Sequence, residues 1–276
     1  MRVPAIGLHR SSPSAREFTP ATNFISFAVT LIDAHIHVWD LQRLSYPWLA
    51  GAPGINRTYL LSDYDAARGN RAVEAMVFVQ CECEPAQHLE ELRWVQPLAD
   101  ADPRLQGIVP WAPLETGDAV EAELAEMAKD LRVKGVRRII QFEADPDFCL
   151  NPKFIRGVHL LGEHGLHFEI TIAPHHFPRV MKVIAACPET RFILDHIGNP
   201  DISAGRSALE PWRKYLREFA ASEPHPWGSD WPHALRASQY LRWLETAEAL
   251  TAHLSAADRR KIFHDNAASY YRLNIR

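Results

Sequence analysis

The chain has 276 residues, 47% of them hydrophobic and 23% charged, with a formal net charge of −4 and a sequence pI near 6.4. That composition can bury a substantial core, while scattered Lys and Arg argue against a nucleic-acid surface and no apolar run approaches the ~18 residues that would span a bilayer. Neither nucleic acid nor membrane is therefore an expected partner, and the four cysteines, Cys81, Cys83, Cys149 and Cys187, contain no CxxC pair and read as free buried thiols of a reducing, cytoplasmic compartment.

Residues 1–29 carry Ser, Pro and three Arg against one acid. This composition is shared by transit peptides, by disordered extensions and by mis-set start codons, so the segment is set aside. One domain is expected over residues 30–276. Within it, short apolar runs alternate with longer segments of helical period. The runs are Leu31–Ala34, Ala75–Gln80, Gly107–Trp111, Gly135–Gln141, His167–Ala173 and Phe192–Asp195. Between and after them, helices are predicted over 85–99, 117–131, 151–164, 177–186, 207–221, 235–250 and 256–271. Pro85 suits a first turn and Gly165 suits a C-cap. Strands alternating with helices imply parallel βα units. Their spacing of about 25–35 residues matches an eight-fold barrel of about 250 residues, so the fold class is α/β, of (β/α)8 TIM-barrel type.

The barrel is predicted to be incomplete. Six good strand ends precede SEPHPWGSDWP, residues 222–232, in which Asp230 reads as the acid at the end of a last strand. The four residues before Trp227 are Glu223, Pro224, His225 and Pro226, with no apolar run among them. The interval from His196 to Asp230 has room for one βα unit where two are needed.

Polar side chains gather at the C-terminal ends of the strands, where barrel active sites form. Asp33, His35 and His37 follow the first run, Gln80 and Glu82 the second, Arg137, Arg138 and Gln141 the fourth, and His175 and His176 the fifth. Asp195 and His196 end the sixth, and Asp230 the last. His35 and His37 are two apart in an extended chain, so their imidazoles share a face at a separation that suits a divalent metal, Zn or Mn. The plainer alternative is that either ring simply hydrogen-bonds a substrate or a carboxylate. Asp230 is the candidate general base, a carboxylate kept ionised by nearby cationic groups; its plain alternative is a helix N-cap. Arg137 is a candidate anchor for substrate oxygens, against a surface salt bridge, and Gln141 a further substrate contact. Of the adjacent pair His175 and His176 only one faces inward from an extended chain, and His175 is preferred. Trp39, Trp48 and Trp111 are candidate pocket walls, with core packing the default. The remaining histidines, His233 among them, receive no role.

LIDAHIHVWD with YPWL, KGVRRIIQ, FILDHIGNP, GSDWP and IFHDNAASYYRL together resemble the amidohydrolase-2 family, and within it the sugar-lactonase branch. The resemblance runs from about residue 30 to 276. It implies a (β/α)8 barrel and hydrolysis of a lactone C–O bond. It places His35, His37, His175, His196 and Asp230 on the catalytic face, with Asp230 activating water and His35, His37 and His175 holding a divalent metal or polarising the carbonyl directly; some relatives work without metal. The small-molecule substrate would be a sugar-acid or related lactone. The competing readings are a related metal-dependent decarboxylase or amide hydrolase, or an inactive family member. Against the family pattern about 45 residues at barrel spacing are missing before GSDWP. The gap would leave a sheet edge and apolar layers uncovered, favouring a homodimer, and a mis-drawn gene would explain both it and the unusual N-terminus.

Overall fold

In the computed structural model, which describes residues 30–200, 210–220 and 226–275, all six apolar runs form strands. They are β1 (Leu31–Ile36), β2 (Val73–Val79), β3 (Leu105–Val109), β4 (Gly135–Arg137), β5 (His167–Ile170) and β6 (Arg191–Leu194). Every pairing is parallel, in two three-stranded sheets ordered β1-β2-β3 and β4-β5-β6. A single parallel bridge, Ile108 to Val133, joins the sheets, so the strands follow one another in chain order, as in a barrel wall. The first predicted run stops two residues short of its strand, and the other five overshoot at their C-terminal ends. After Arg137, Ile170 and Leu194 the backbone leaves the sheet, and among the residues that follow are the polar Arg138, Gln141, Thr171 and Asp195.

On the free flank of β1, residues 227–231 stand in for the strand that the sequence lacks. The Ala34 amide donates to the Trp227 carbonyl (3.2 Å), the Asp230 amide to the His35 carbonyl (2.9 Å) and the His37 amide to the Trp231 carbonyl (2.7 Å), and Ile36 and Trp231 form a parallel bridge. Three backbone hydrogen bonds thus dock the acid without a regular strand. Close approach depends on Gly228, where a Cβ would lie 2.5 Å from the His35 Cβ and 2.9 Å from its amide nitrogen. Among the described residues β6 pairs only with β5, so the wall is open between β6 and this segment.

Side chains alternate between two apolar layers, as strand geometry requires. Ile32, Ala34, Ala75, Val77, Val79, Val109 and Ile193 fill the inner layer, closed by Ala267, Tyr270 and Tyr271 from the C-terminal helical turns. Leu31, Ile36, Met76, Phe78, Phe168 and Phe192 face the helices in the outer layer. The expectation of uncovered layers at the open edge does not hold for β6: Phe192, Ile193 and Leu194 are each at most 5% exposed.

The helices are α1 (Leu61–Arg68), α2 (His88–Ala101), α3 (Glu121–Met127), α4 (Pro152–Glu163), α5 (Phe177–Ala186), α6 (Glu210–Ala220), α7 (Tyr240–Leu250), α8 (Ala256–Arg260) and α9 (Asn266–Tyr270), the last two joined by a π turn over Lys261–Asp265. In α4 the Asn151 side chain accepts from the Lys153 amide, Pro152 opens the first turn, and Phe154, Val158 and Leu161 are buried. Pro85 instead opens a short 3-10 turn before α2. Helix α1 was not foreseen, because only Tyr64 of its eight residues is buried and no apolar stripe marks it. Residues 1–29, the ends of the predicted 207–221 helix and residues 221–225 lie outside the described residues. No helix among the described residues is long and apolar enough to cross a membrane.

Candidate active site

The strand ends bring His35, His37, Arg137, Asp195, His196 and Asp230 together. His35 and His37 present their rings to one space, with centroids 4.9 Å apart, and His196 lies 4.9 Å from His35 on the other side. Asp230 enters from the 227–231 segment with φ at +54°. A non-glycine residue in the left-handed region carries strain of about 1–3 kcal/mol, which the three backbone bonds to β1 hold in place. Its Oδ1 lies 3.2 Å from His37 Nε2 and 3.9 Å from His35 Nε2. Its Oδ2 accepts from His233 Nδ1 at 2.9 Å. Both carboxylate oxygens therefore face imidazoles, and the N-cap alternative falls away. Buried Asp33, at the base of the cluster, accepts from the Ser229 amide (2.8 Å) and the Tyr64 hydroxyl (3.0 Å), and so fixes the residue preceding Asp230.

Hydrogen bonds set the tautomers. His37 Nδ1 donates to the Val79 carbonyl at 2.7 Å, so the lone pair of the neutral ring sits on Nε2 and faces the Asp230 carboxylate. Arg137 has only donors; its Nη1, 3.2 Å from His35 Nε2, makes that nitrogen an acceptor. His35 Nδ1 then carries its proton toward Asp195 Oδ1, 3.7 Å away. Asp195 Oδ2 accepts from Thr171 Oγ1 (2.6 Å) and lies 3.4 Å from Arg137 Nη1.

The electrostatics separate the two acids. Burial pushes Asp230 up, but the electrostatic influence of His196, the hydrogen bond from His233 and the neighbouring His37 ring outweigh it and hold this carboxyl well below the usual range. Burial, reinforced by the negative charge of Glu169, raises Asp195 to about 6 despite Arg137. Burial also lowers His37, against the pull of Asp230, and lowers His35 well below the ordinary value, aided by His37, His196 and Arg137. Asp230 is thus the ionised acid of the site, beside His35 and His37, whose rings burial keeps neutral.

A lone pair on His37 Nε2 directed at a carboxylate is repulsive unless a proton or a metal ion lies between them. His35, His37 and Asp230 each offer a ligand atom, all within 4.8 Å of one another, as do His35, Asp195 and His196. Two imidazole nitrogens and a carboxylate are the donors of a Zn site, and the residues fit a divalent ion.

Other expected residues fall elsewhere. His175 is exposed and belongs to neither ligand group, whereas His176 is buried. The preference for His175 as the inward member is thus reversed: Pro174–His176 is a 3-10 turn, not a continued strand, and the i, i+1 alternation does not apply. Among the described residues His176 bonds the Ala173 backbone alone. Trp39 is a core residue, 0% exposed, its Nε1 donating to the Arg57 carbonyl at 2.6 Å. Trp48 is the tryptophan near the site, 5.9 Å from the His233 ring. Gln141 is half-buried, its Oε1 accepting from Asn199 Nδ2. Arg137 is 4% exposed, so it is no surface salt bridge; its Nη2 donates to the Gln80 carbonyl at 2.5 Å, and its partners leave it acting through His35 and Asp195. All four cysteines are buried and free, as expected. His233 was missed, although it directly follows the GSDWP motif, three residues after Asp230, the spacing at which a turn brings two side chains together.

Comparison with known proteins agrees with this geometry. The chain is 27% identical to L-fucono-1,5-lactonase of Burkholderia ambifaria over 284 positions, covering 88% of this chain and 96% of the relative. Since 88% of this chain is about 243 residues, about 40 of those positions have no counterpart here. Among solved structures it is similar to an amidohydrolase of Burkholderia multivorans with bound Zn (26% identity, TM-score 0.76, covering 88% of this chain and 99% of that one). It also shares the fold of amidohydrolase 2 from Bifidobacterium longum subsp. infantis (21% identity, TM-score 0.68, 89% and 99% covered). The amidohydrolase family model matches residues 32–223 and 226–273, breaking where the strand is lacking. The chain belongs to the amidohydrolase family and is an enzyme of that hydrolase group, with a barrel wall that is open among the described residues.

Proposed function

We propose that the chain hydrolyses the lactone of a sugar acid. The observation that carries this reading is Asp230, an ionised carboxylate held between His37 and His233 at the mouth of the barrel, in a chain similar to an L-fucono-1,5-lactonase. Asp230 accepts a proton from water as its oxygen attacks the lactone carbonyl. His196, beside His35, lines the space where the oxyanion forms, and a donor aimed there stabilises it. Collapse breaks the bond between the acyl carbon and the ring oxygen. The proton held by Asp230 and His233 passes to that oxygen, giving the open hydroxy acid. Arg137 keeps the His35 tautomer and a buried positive charge beneath the acyl group. His35, His37 and Asp230 would hold a divalent metal; bound there, it would polarise the carbonyl and acidify water.

The experiment is a proton-release assay with aldonolactones of five- and six-membered ring, compared with an aryl amide and an aromatic carboxylic acid. Turnover of a lactone alone supports the reading; turnover of the amide or loss of CO2 from the acid, with no lactone hydrolysis, refutes it.

A further inference from the structure

Arg137 occupies the position at which His35 would meet a metal. An imidazole nitrogen has one in-plane lone pair, and arginine cannot accept a hydrogen bond; the 3.2 Å contact from Arg137 Nη1 therefore uses the His35 Nε2 lone pair. The same atom is the one nearest Asp230, 3.9 Å from Oδ1, and so is the one required by the His35–His37–Asp230 group. Guanidinium and metal cannot share it, and their charges repel at such range.

The fold also holds a second place for the guanidinium. Arg137 and Glu169 are register partners across β4 and β5, so their side chains rise from neighbouring points of the same sheet. Glu169 is 0% exposed. Its Oε1 accepts from the Tyr271 hydroxyl (2.8 Å) and contacts His167 Nε2 (3.1 Å). Its Oε2 and Arg137 Nε are both buried without a hydrogen-bond partner among the described residues. A buried carboxylate oxygen and a buried guanidinium N–H left open on adjacent strands are costly separately and complementary together.

We propose that Arg137 is a displaceable internal cation: it holds His35 Nε2 when no metal is present, and gives that atom up to a divalent metal by turning to Glu169. Arg137 thereby sets the metal affinity of the site, with Glu169 as the positioning residue that receives it. The inference rests on the ligand group His35, His37 and Asp230, and its test reads metal binding rather than turnover, so lactone hydrolysis stands or falls separately.

Zinc affinity is measured by competition with a chromophoric chelator for the wild type, Arg137→Gln and Glu169→Gln, each checked for a native melt. Removing the competing cation is expected to tighten zinc binding about tenfold or more, and removing its second place to weaken binding. Equal or weaker binding by folded Arg137→Gln overturns the proposal. Should that variant not fold, wild-type crystals grown with chelator and with zinc decide. Zinc on His35 Nε2 with Arg137 turned to Glu169 supports it; zinc absent from His35, or Arg137 unmoved, overturns it.

Discussion

Replacing Gly228 by alanine tests how the acid is delivered without a strand. The added Cβ would lie 2.5 Å from the His35 Cβ, 2.9 Å from its nitrogen and 3.2 Å from its Cα. Ordinary contact between such atoms begins near 3.4 Å, so the segment must withdraw from β1 by about 1 Å, the neighbours being backbone and a Cβ that cannot rotate away. Overpacking of this kind costs about 1–3 kcal/mol, and a chain of this size loses about 2–4 °C of Tm per kcal/mol. The expected fall is thus roughly 2–12 °C. The functional loss should be larger, because Asp230 moves with the segment and a misplacement of about 1 Å costs about 100-fold in rate. The assay pairs a thermal melt with lactonase kcat. Gly54→Ala, where nothing lies within 4 Å of the added Cβ, serves as the neutral control. A Gly228→Ala protein with wild-type Tm and kcat would refute the docking of residues 227–231 against β1.

His233→Ala removes a hydrogen bond that helps hold Asp230 low, so the Asp230 pKa should rise and the acid limb of the kcat/KM profile should move to higher pH; an unmoved limb would separate His233 from the base. Glu91 is buried, its carboxyl raised by burial to about 7 against the hydrogen bond from Tyr46. A raised acid contributes stability below its unfolded pKa that is lost as pH climbs through the folded value, here between about 4.5 and 7. Glu91→Gln, which cannot ionise, should therefore gain on the wild type by up to about 3 kcal/mol between pH 5 and pH 8; urea unfolding at the two pH values with identical differences would contradict the buried ionisation.

Much of the wall was legible because parallel strands buried on both faces read as continuous apolar runs, and all six runs became strands. The histidine pair, Asp230 and the defect before it were equally plain, since HxH spacing and a missing run are local features. His175 was misjudged for a physical reason: where the chain leaves the sheet, at Pro174, alternation no longer tells inside from outside; Trp39 takes the core packing that was its default rather than a place in the pocket wall. Helix α1 escaped because its burial rests on one residue, Tyr64, which bonds Asp33. The Arg137–His35 contact joins residues 102 apart in the chain, and no sequence period connects them.

The central claim is that Asp230 activates water for attack on a lactone. The most direct measurement is proton release from an aldonolactone panel by wild type and Asp230→Asn, with matching melts. The account predicts turnover of at least one lactone by the wild type and a loss of about 100-fold or more in the variant, the usual scale for removing a general base. Equal rates in the two proteins, or a folded wild type inert toward every lactone, would contradict it.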